Sequence, residues 1–276
     1  MKINSYLVWI LLGIALIAWF WNNPNFGKAV NSPSYIDKFE INSHHLNRKV
    51  KIWVYLPPDY LKSEGKLPVL YMHDGQNLFH PELSFAGEWQ VDESLDELFQ
   101  ENGFQLVVIG IENGGQNRIN ELTPYPNPDH GGGEAERYLS FIFDELMPQA
   151  ESQYNISQHA SQRGMMGSSL GGLISFYTAF QHPDKFSKFG VYSPSFWFNN
   201  KIFDLAENHK LPAENKMLLM MGDDEKQGHL NVLKMEKLLK STQNFHLKTD
   251  IIPGGQHNEQ FWSQHFKQDV WWLFNQ

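Results

Sequence analysis

"RGMMGSSLGGLISFY", Arg163 to Tyr177, joins a short apolar run to a helical pattern through two serines set among glycines. Gly167 to Gly171 fits G-x-S-x-G, with Ser168 as x and Ser169 at the centre. Small residues at such a join let a strand and the following helix pack closely. The same close packing forces the central residue into a sharp, strained turn that exposes its side chain. The stretch therefore reads either as a packing turn or as the seat of a nucleophile. In the second reading Ser169 sits at a helix N-terminus, where the N–H of Leu170 and the helix dipole stabilise a developing oxyanion.

Working outward, continuous apolar runs suited to strands buried on both faces occur at "LPVLYM" (Leu67 to Met72), "QLVVIGIE" and "KMLLMMG". "YIDKFEINS" and "RKVKIWVYLP" also read as strands, the second alternating around Val50, Ile52, Val54 and Leu56. Helical patterns lie between and after them: "VDESLDELFQ", "AERYLSFIFDELMPQAESQY", "SLGGLISFYTAFQ", "HLNVLKMEKLLK" and "EQFWSQHFKQDVWWLF". Strands alternating with helices of this length predict an α/β fold, a mostly parallel central sheet with helices on both faces.

A serine nucleophile needs a base, an acid and a second oxyanion donor. His257 stands out among the 12 histidines because "PGGQHNEQFW" places it in a Gly-rich loop between the strand-like "HLKTDIIP" and the last helix. The order serine, acid, histidine requires a carboxylate after an intervening strand, and "KMLLMMGDDEKQG" offers Asp223, Asp224 and Glu225. Sequence alone does not choose among the three. "HDGQNLFH" follows the Leu67 to Met72 run, and the turn at Gly75 lets the Gln76 N–H point into a cleft. His73, Asp74 and His80 in the same stretch invite a metal reading, but the order of elements is better explained by acyl transfer, and no metal or other cofactor is called for.

Hydrophobic residues make up 41% of the 276-residue chain and charged residues 19%, the composition of a globular body. A net charge of −9 argues against nucleic acid as a partner, and the absence of cysteine excludes disulfides, thiolate metal sites and cysteine nucleophiles. "YLVWILLGIALIAWFW", Tyr6 to Trp21, is uncharged and apolar over roughly 24 Å at helical rise. Residues 1–21 are expected to be a signal-anchor or signal segment. The lack of a small-x-small cleavage site favours the anchor, so the membrane enters as a partner through this segment alone. Either version exports the body, to the periplasm or otherwise outside the cytoplasm. Residues 22–34 read as a linker and 35–276 as one domain.

Taken together, "VYLPPDY", "LPVLYMHDGQNLF", "GEWQVDESLD", "VVIGIENGG", "MMGSSLGGLISFYTAFQHPDKF", "YSPSFW" and "GGQHNEQFW" resemble the esterase-D-type (putative esterase) branch of the α/β-hydrolases, from about Tyr35 to the C-terminus. Families similar in pattern include siderophore trilactone esterases, S-formylglutathione hydrolase, feruloyl and acetylxylan esterases, and mycolyltransferases. The resemblance implies an α/β-hydrolase fold and a serine esterase acting on a small-molecule ester. Ser169 would be the nucleophile, His257 the base, and Gln76 with Leu170 the oxyanion donors. It implies Glu225 as the acid, with Asp224 the runner-up. Trp89, Arg118, Phe196, Trp197 and Asn258 fall in stretches that would border the cleft and contact substrate. The aromatics serve equally as packing, and Arg118 equally as an ion-pair partner of Glu112 or Glu121. Acyl transfer to an acceptor other than water, and a non-catalytic binding protein on the same fold, are the alternatives.

Overall fold

In a computed structural model the described residues are 32–84, 87–225 and 227–275. The chain divides into two units, Met1–Ser32 and Pro33–Gln276. The expected anchor and most of the expected linker lie outside the described residues. Among the described residues no helix is long and apolar enough to cross a membrane.

The second unit is built on an eight-stranded sheet. In chain order its strands are β1 (Tyr35–Ser43), β2 (Arg48–Leu56), β3 (Val69–His73), β4 (Val107–Ile111), β5 (Arg163–Ser168), β6 (Lys188–Tyr192), β7 (Lys216–Gly222) and β8 (His246–Ile252). Their spatial order is β1-β2-β4-β3-β5-β6-β7-β8. β1, β2 and β4 pair antiparallel, and every pairing from β4 through β3 to β8 is parallel. From β3 the chain first crosses one way to β4, then returns to the other side of β3 to lay down β5. That reversal opens a crevice at the carboxyl ends of β3 and β5, where open α/β sheets bind their ligands.

Period-2 alternation in the central strands feeds two separate cores. Tyr71, Ile109, Met165, Val191 and Leu219 point to one face, where they pack under α3 (Ala135–Ser140), α4 (Met147–Gln153), α5 (Leu170–Gln181), α6 (Lys201–Asn208) and α7 (Gln227–Thr242). Leu70, Met72, Val108, Met166 and Leu218 point to the other, beneath α1 (Val91–Asn102) and α8 (Glu259–Phe274). A short helix, α2 (Arg118–Leu122), lies beyond the end of β4.

Three details differ from the sequence reading. β2 loses its in–out alternation after Ile52, because Trp53 and Tyr55 on its second face are covered by the aromatic core. The single helix expected over "AERYLSFIFDELMPQAESQY" is interrupted by a π-helical segment at Phe141–Leu146. β6, "KFGVY", is an additional strand inserted between β5 and β7.

Candidate active site

Ser169 stands at the turn from β5 into α5 with φ +58° and ψ −117°. That backbone conformation costs an L-residue on the order of 1–3 kcal/mol and persists only where its surroundings over-determine it. They do so here. The Ser169 N–H donates to the carbonyl of Tyr192 at 3.0 Å, while its own carbonyl accepts from Leu173 N at 3.0 Å and Ser195 N at 3.1 Å. The glycines make the turn possible: a Cβ on Gly167 would lie 2.9 Å from the Gly171 carbonyl carbon. Ser169 Oγ itself lies 3.3 Å from Ser195 Oγ.

Ser169 and His257 line one cleft of about 470 Å³, together with Gln76, Asp74, Arg118 and Trp262. Gln76 follows β3 in a one-turn 3₁₀ helix and lines the cleft with Ser169, and Leu170 is the first residue of α5, directly after Ser169. His257 lies in the loop between β8 and α8. Its Nδ1 is 2.5 Å from Glu225 Oε2, and the His257 side chain remains 44% exposed while that of Glu225 is 7% exposed. Of the three adjacent acids, Glu225 is the one that meets His257. Asp223 instead accepts from Gly254 N at 2.6 Å, tying together the loops after β7 and β8, and Asp224 is exposed. The two loops touch through glycine: a Cβ on Gly222 would overlap the Gly255 backbone.

The opposite wall is an ion pair. Arg118 engages Asp74 bidentately, Nε to Oδ1 at 2.7 Å and Nη2 to Oδ2 at 2.8 Å, and Asn113 Nδ2 adds a 2.6 Å bond to Oδ1. Burial by itself would raise the Asp74 pKa, but the charge and hydrogen bonds of Arg118, with the bond from Asn113, hold it below the ordinary carboxylate value. The expected partners of Arg118, Glu112 and Glu121, are otherwise engaged. Glu121 is clamped by Arg48 at 2.8 Å and Glu112 faces Lys51 at 3.6 Å. Beneath this pair His73 is buried with Nδ1 2.8 Å from the Tyr138 hydroxyl, and burial pushes its pKa down to about 4. His80 packs against Trp53, and His73, Asp74 and His80 form no ligand cluster among the described residues.

The other expected substrate contacts are dispersed. Trp89 is 2% exposed and packs on Tyr192, Trp262 and Phe266, in the aromatic core rather than on the cleft. Asn258 caps α8, its Oδ1 accepting from Phe261 N at 2.9 Å. Phe196 is fully buried against Phe176 and Phe203. Trp197 is 54% exposed and packs edge-on to His130.

Four residues escaped the sequence reading: Asp74 as an ion-pair partner and Glu259, which line the cleft, and Ser195 and Ser193, which contact Ser169 and Glu225. Glu259 accepts from Asn77 Nδ2 at 3.0 Å, and burial, reinforced by Asp74, raises its pKa against the pull of its hydrogen bonds. The position of "YSPSFW" directly after a strand was the available signal for the two serines. Each would follow a parallel strand into the carboxyl-end crevice once β6 was recognised.

The mostly parallel eight-stranded sheet with helices on its faces, and a strained serine at its central strand-to-helix turn, give the chain an α/β-hydrolase-like fold. The chain belongs to the Putative esterase family, whose model matches residues 43–273, and it is a carboxylic ester hydrolase. An uncharacterised Bacillus subtilis protein, YbbA, is 29% identical over 251 residues, covering 84% of this chain and 95% of its own length. The siderophore triacetylfusarinine C esterase of Aspergillus fumigatus is 28% identical over 149 residues, 51% of this chain and 49% of that protein. Among solved structures, the siderophore hydrolase EstB of Aspergillus nidulans superposes with a TM-score of 0.69 at 19% identity, over 88% of this chain and 98% of EstB.

Proposed function

We propose that this esterase works through an acyl-enzyme on Ser169, with His257 as base and Glu225 as its acid. The observation that supports this most is the 2.5 Å His257–Glu225 contact on the cleft that Ser169 lines. His257 takes the Ser169 proton as Oγ attacks the ester carbonyl carbon, and Glu225 stabilises the imidazolium that forms. The N–H groups of Gln76 and Leu170 hold the tetrahedral oxyanion. Collapse breaks the ester C–O bond, the alcohol leaves with the proton from His257, and water then cleaves the acyl-enzyme by the reverse sequence of proton transfers.

The substrate is a small-molecule ester. Arg118 borders the cleft with two of its five N–H donors taken by Asp74, which leaves donors for an oxygen-rich ligand. Two of the similar proteins carry siderophores in their names, and a polyester of that oxygen-rich kind suits such a wall. Residues 1–21 export the body and anchor it at the membrane, 22–34 tether it, and 35–276 carry the chemistry. The test is covalent labelling by a fluorophosphonate probe alongside p-nitrophenyl ester turnover. The wild type is expected to label at Ser169, and Ser169→Ala to lose both labelling and about 10⁴-fold or more of turnover. Labelling that survives Ser169→Ala would overturn the nucleophile.

A further inference from the structure

Glu225 has two oxygens, and His257 occupies one of them. The other, Oε1, accepts a 2.6 Å bond from the Ser193 hydroxyl and a longer one, 3.4 Å, from Gly222 N. Ser193 Oγ in turn accepts from the indole Nε1 of Trp262 at 2.9 Å. Trp262 closes the circle, its ring meeting the His257 imidazole edge-on at 5.1 Å and 81°. Four side chains from three separate segments thus form one loop of contacts: His257 to Glu225, to Ser193, to Trp262, and back to His257.

Ser193 is 1% exposed and held at φ +39°, with its N–H bonded to the Met220 carbonyl at 2.6 Å. A serine has a single hydroxyl hydrogen, and accepting from Trp262 directs that hydrogen away from the indole and onto Glu225. A carboxylate beside a histidine can rotate about its terminal torsion, which is broad in free side chains. A second directed bond on the distal oxygen removes that freedom and keeps the proximal oxygen aimed at Nδ1.

We infer that Ser193 is a positioning residue that orients Glu225 toward His257, with Trp262 fixing the direction of the Ser193 hydroxyl. This rests on the triad reading given above. Its effect reaches the ester only through Glu225, so it belongs to the rate of the chemical step rather than to substrate binding.

The test is a double-mutant cycle on the full chain, read as kcat and KM for a p-nitrophenyl ester, with the low-field proton resonance of the His257–Glu225 bond as a spectroscopic signature. Ser193→Ala is expected to lower kcat about 10- to 100-fold with KM within about twofold, and to shift or broaden that resonance. Trp262→Phe, which keeps an aromatic ring but removes the indole N–H that fixes the hydroxyl, is expected to cost about threefold to tenfold in kcat. In the Glu225→Gln background Ser193→Ala should cost less than about twofold, because there is no carboxylate left to orient. Ser193→Gly, which relieves the positive φ, serves as the second variant should Ser193→Ala fold poorly, and is expected to match its kinetic loss. An equal Ser193→Ala loss with and without Glu225 would overturn the inference alone. A Glu225→Gln enzyme with wild-type kcat would overturn the triad reading and this inference with it.

Discussion

The two walls of the cleft each hold a buried carboxylate, and they hold it differently. On the β3–β4 side Asp74 is gripped by the bidentate guanidinium of Arg118 and by Asn113, partners that cannot give up their role at any ordinary pH. On the β6–β7–β8 side Glu225 is gripped by an imidazole and a hydroxyl, and the imidazole is half exposed. One wall keeps its charges balanced at neutral pH. The other is where we propose that His257 acts as the base, taking and returning a proton during turnover. A bidentate guanidinium–carboxylate pair is a fitting for shape and ligand recognition, and in the proposed mechanism an imidazole–carboxylate pair is a fitting for turnover.

The largest effect is expected at Glu225. Glu225→Gln should lower kcat by about 10³- to 10⁴-fold, while Asp224→Asn should leave it within about twofold. If the two variants exchange these outcomes, Asp224 is the acid. On the opposite wall, Asp74→Asn should act mainly on stability. It leaves the Arg118 charge uncompensated in a mostly buried site, at a cost of about 3 kcal/mol, or roughly 6–12 °C in melting temperature. The Asp74 pKa lies below its unfolded value, so its contribution is present above about pH 4 and is lost as pH falls through the folded value.

His73, behind the fixed wall, gives a pH test with a definite sign. Burial holds its pKa at about 4, against an ordinary value of 6.5, so between those limits the unfolded chain takes up a proton that the folded chain refuses. Stability therefore falls as pH drops from 6.5 toward 4, by about 3 kcal/mol. Asp92, raised to about 7 by burial and by Glu93, works in the opposite direction over the same range. The quantity to measure is thus the difference between wild type and His73→Gln in urea unfolding at pH 7 and pH 4.5. The variant is expected to lack most of the loss due to His73, and an identical pH dependence would contradict the burial account. The smallest effect belongs to Asn258, where Asn258→Ala should cost about 1 kcal/mol through the lost helix cap and change kcat little. A large kcat loss without a stability loss would return Asn258 to the substrate-binding residues.

Elements whose signals are local were legible in the sequence. Uninterrupted apolar runs marked β3, β4 and β7, and strand-ending glycines and loops marked the places where Gln76, Ser169, Glu225 and His257 emerge. What escaped depends on neighbours in space. β6 is only five residues long with Gly190 at its centre, too short and too broken to show a periodicity. Missing it hid its insertion between β5 and β7, and hence the passage of its loop between the Ser169 turn and Glu225, where Ser195 and Ser193 contact them. The Asp74–Arg118 pair was hidden for a related reason. The two residues are 44 apart in sequence and meet only because β3 and β4 lie side by side. Trp89 and Phe196 illustrate the converse: large aromatics in functional-looking stretches that packing needs elsewhere.

The contact between Gly222 and Gly255 has a consequence for how activity is lost. The proposed base rides on a loop leading out of β8, an edge strand whose side chains are mostly half-buried, whereas Ser169 is embedded at the centre of the sheet. Fraying that peels β8 from β7 would withdraw the imidazole while the serine turn and both cores stay intact. Such a molecule would keep its shape, its compactness and its nucleophile, and yet be silent. Inactivation by mild heat or denaturant should accordingly precede unfolding, with the last strand acting as the first point of failure.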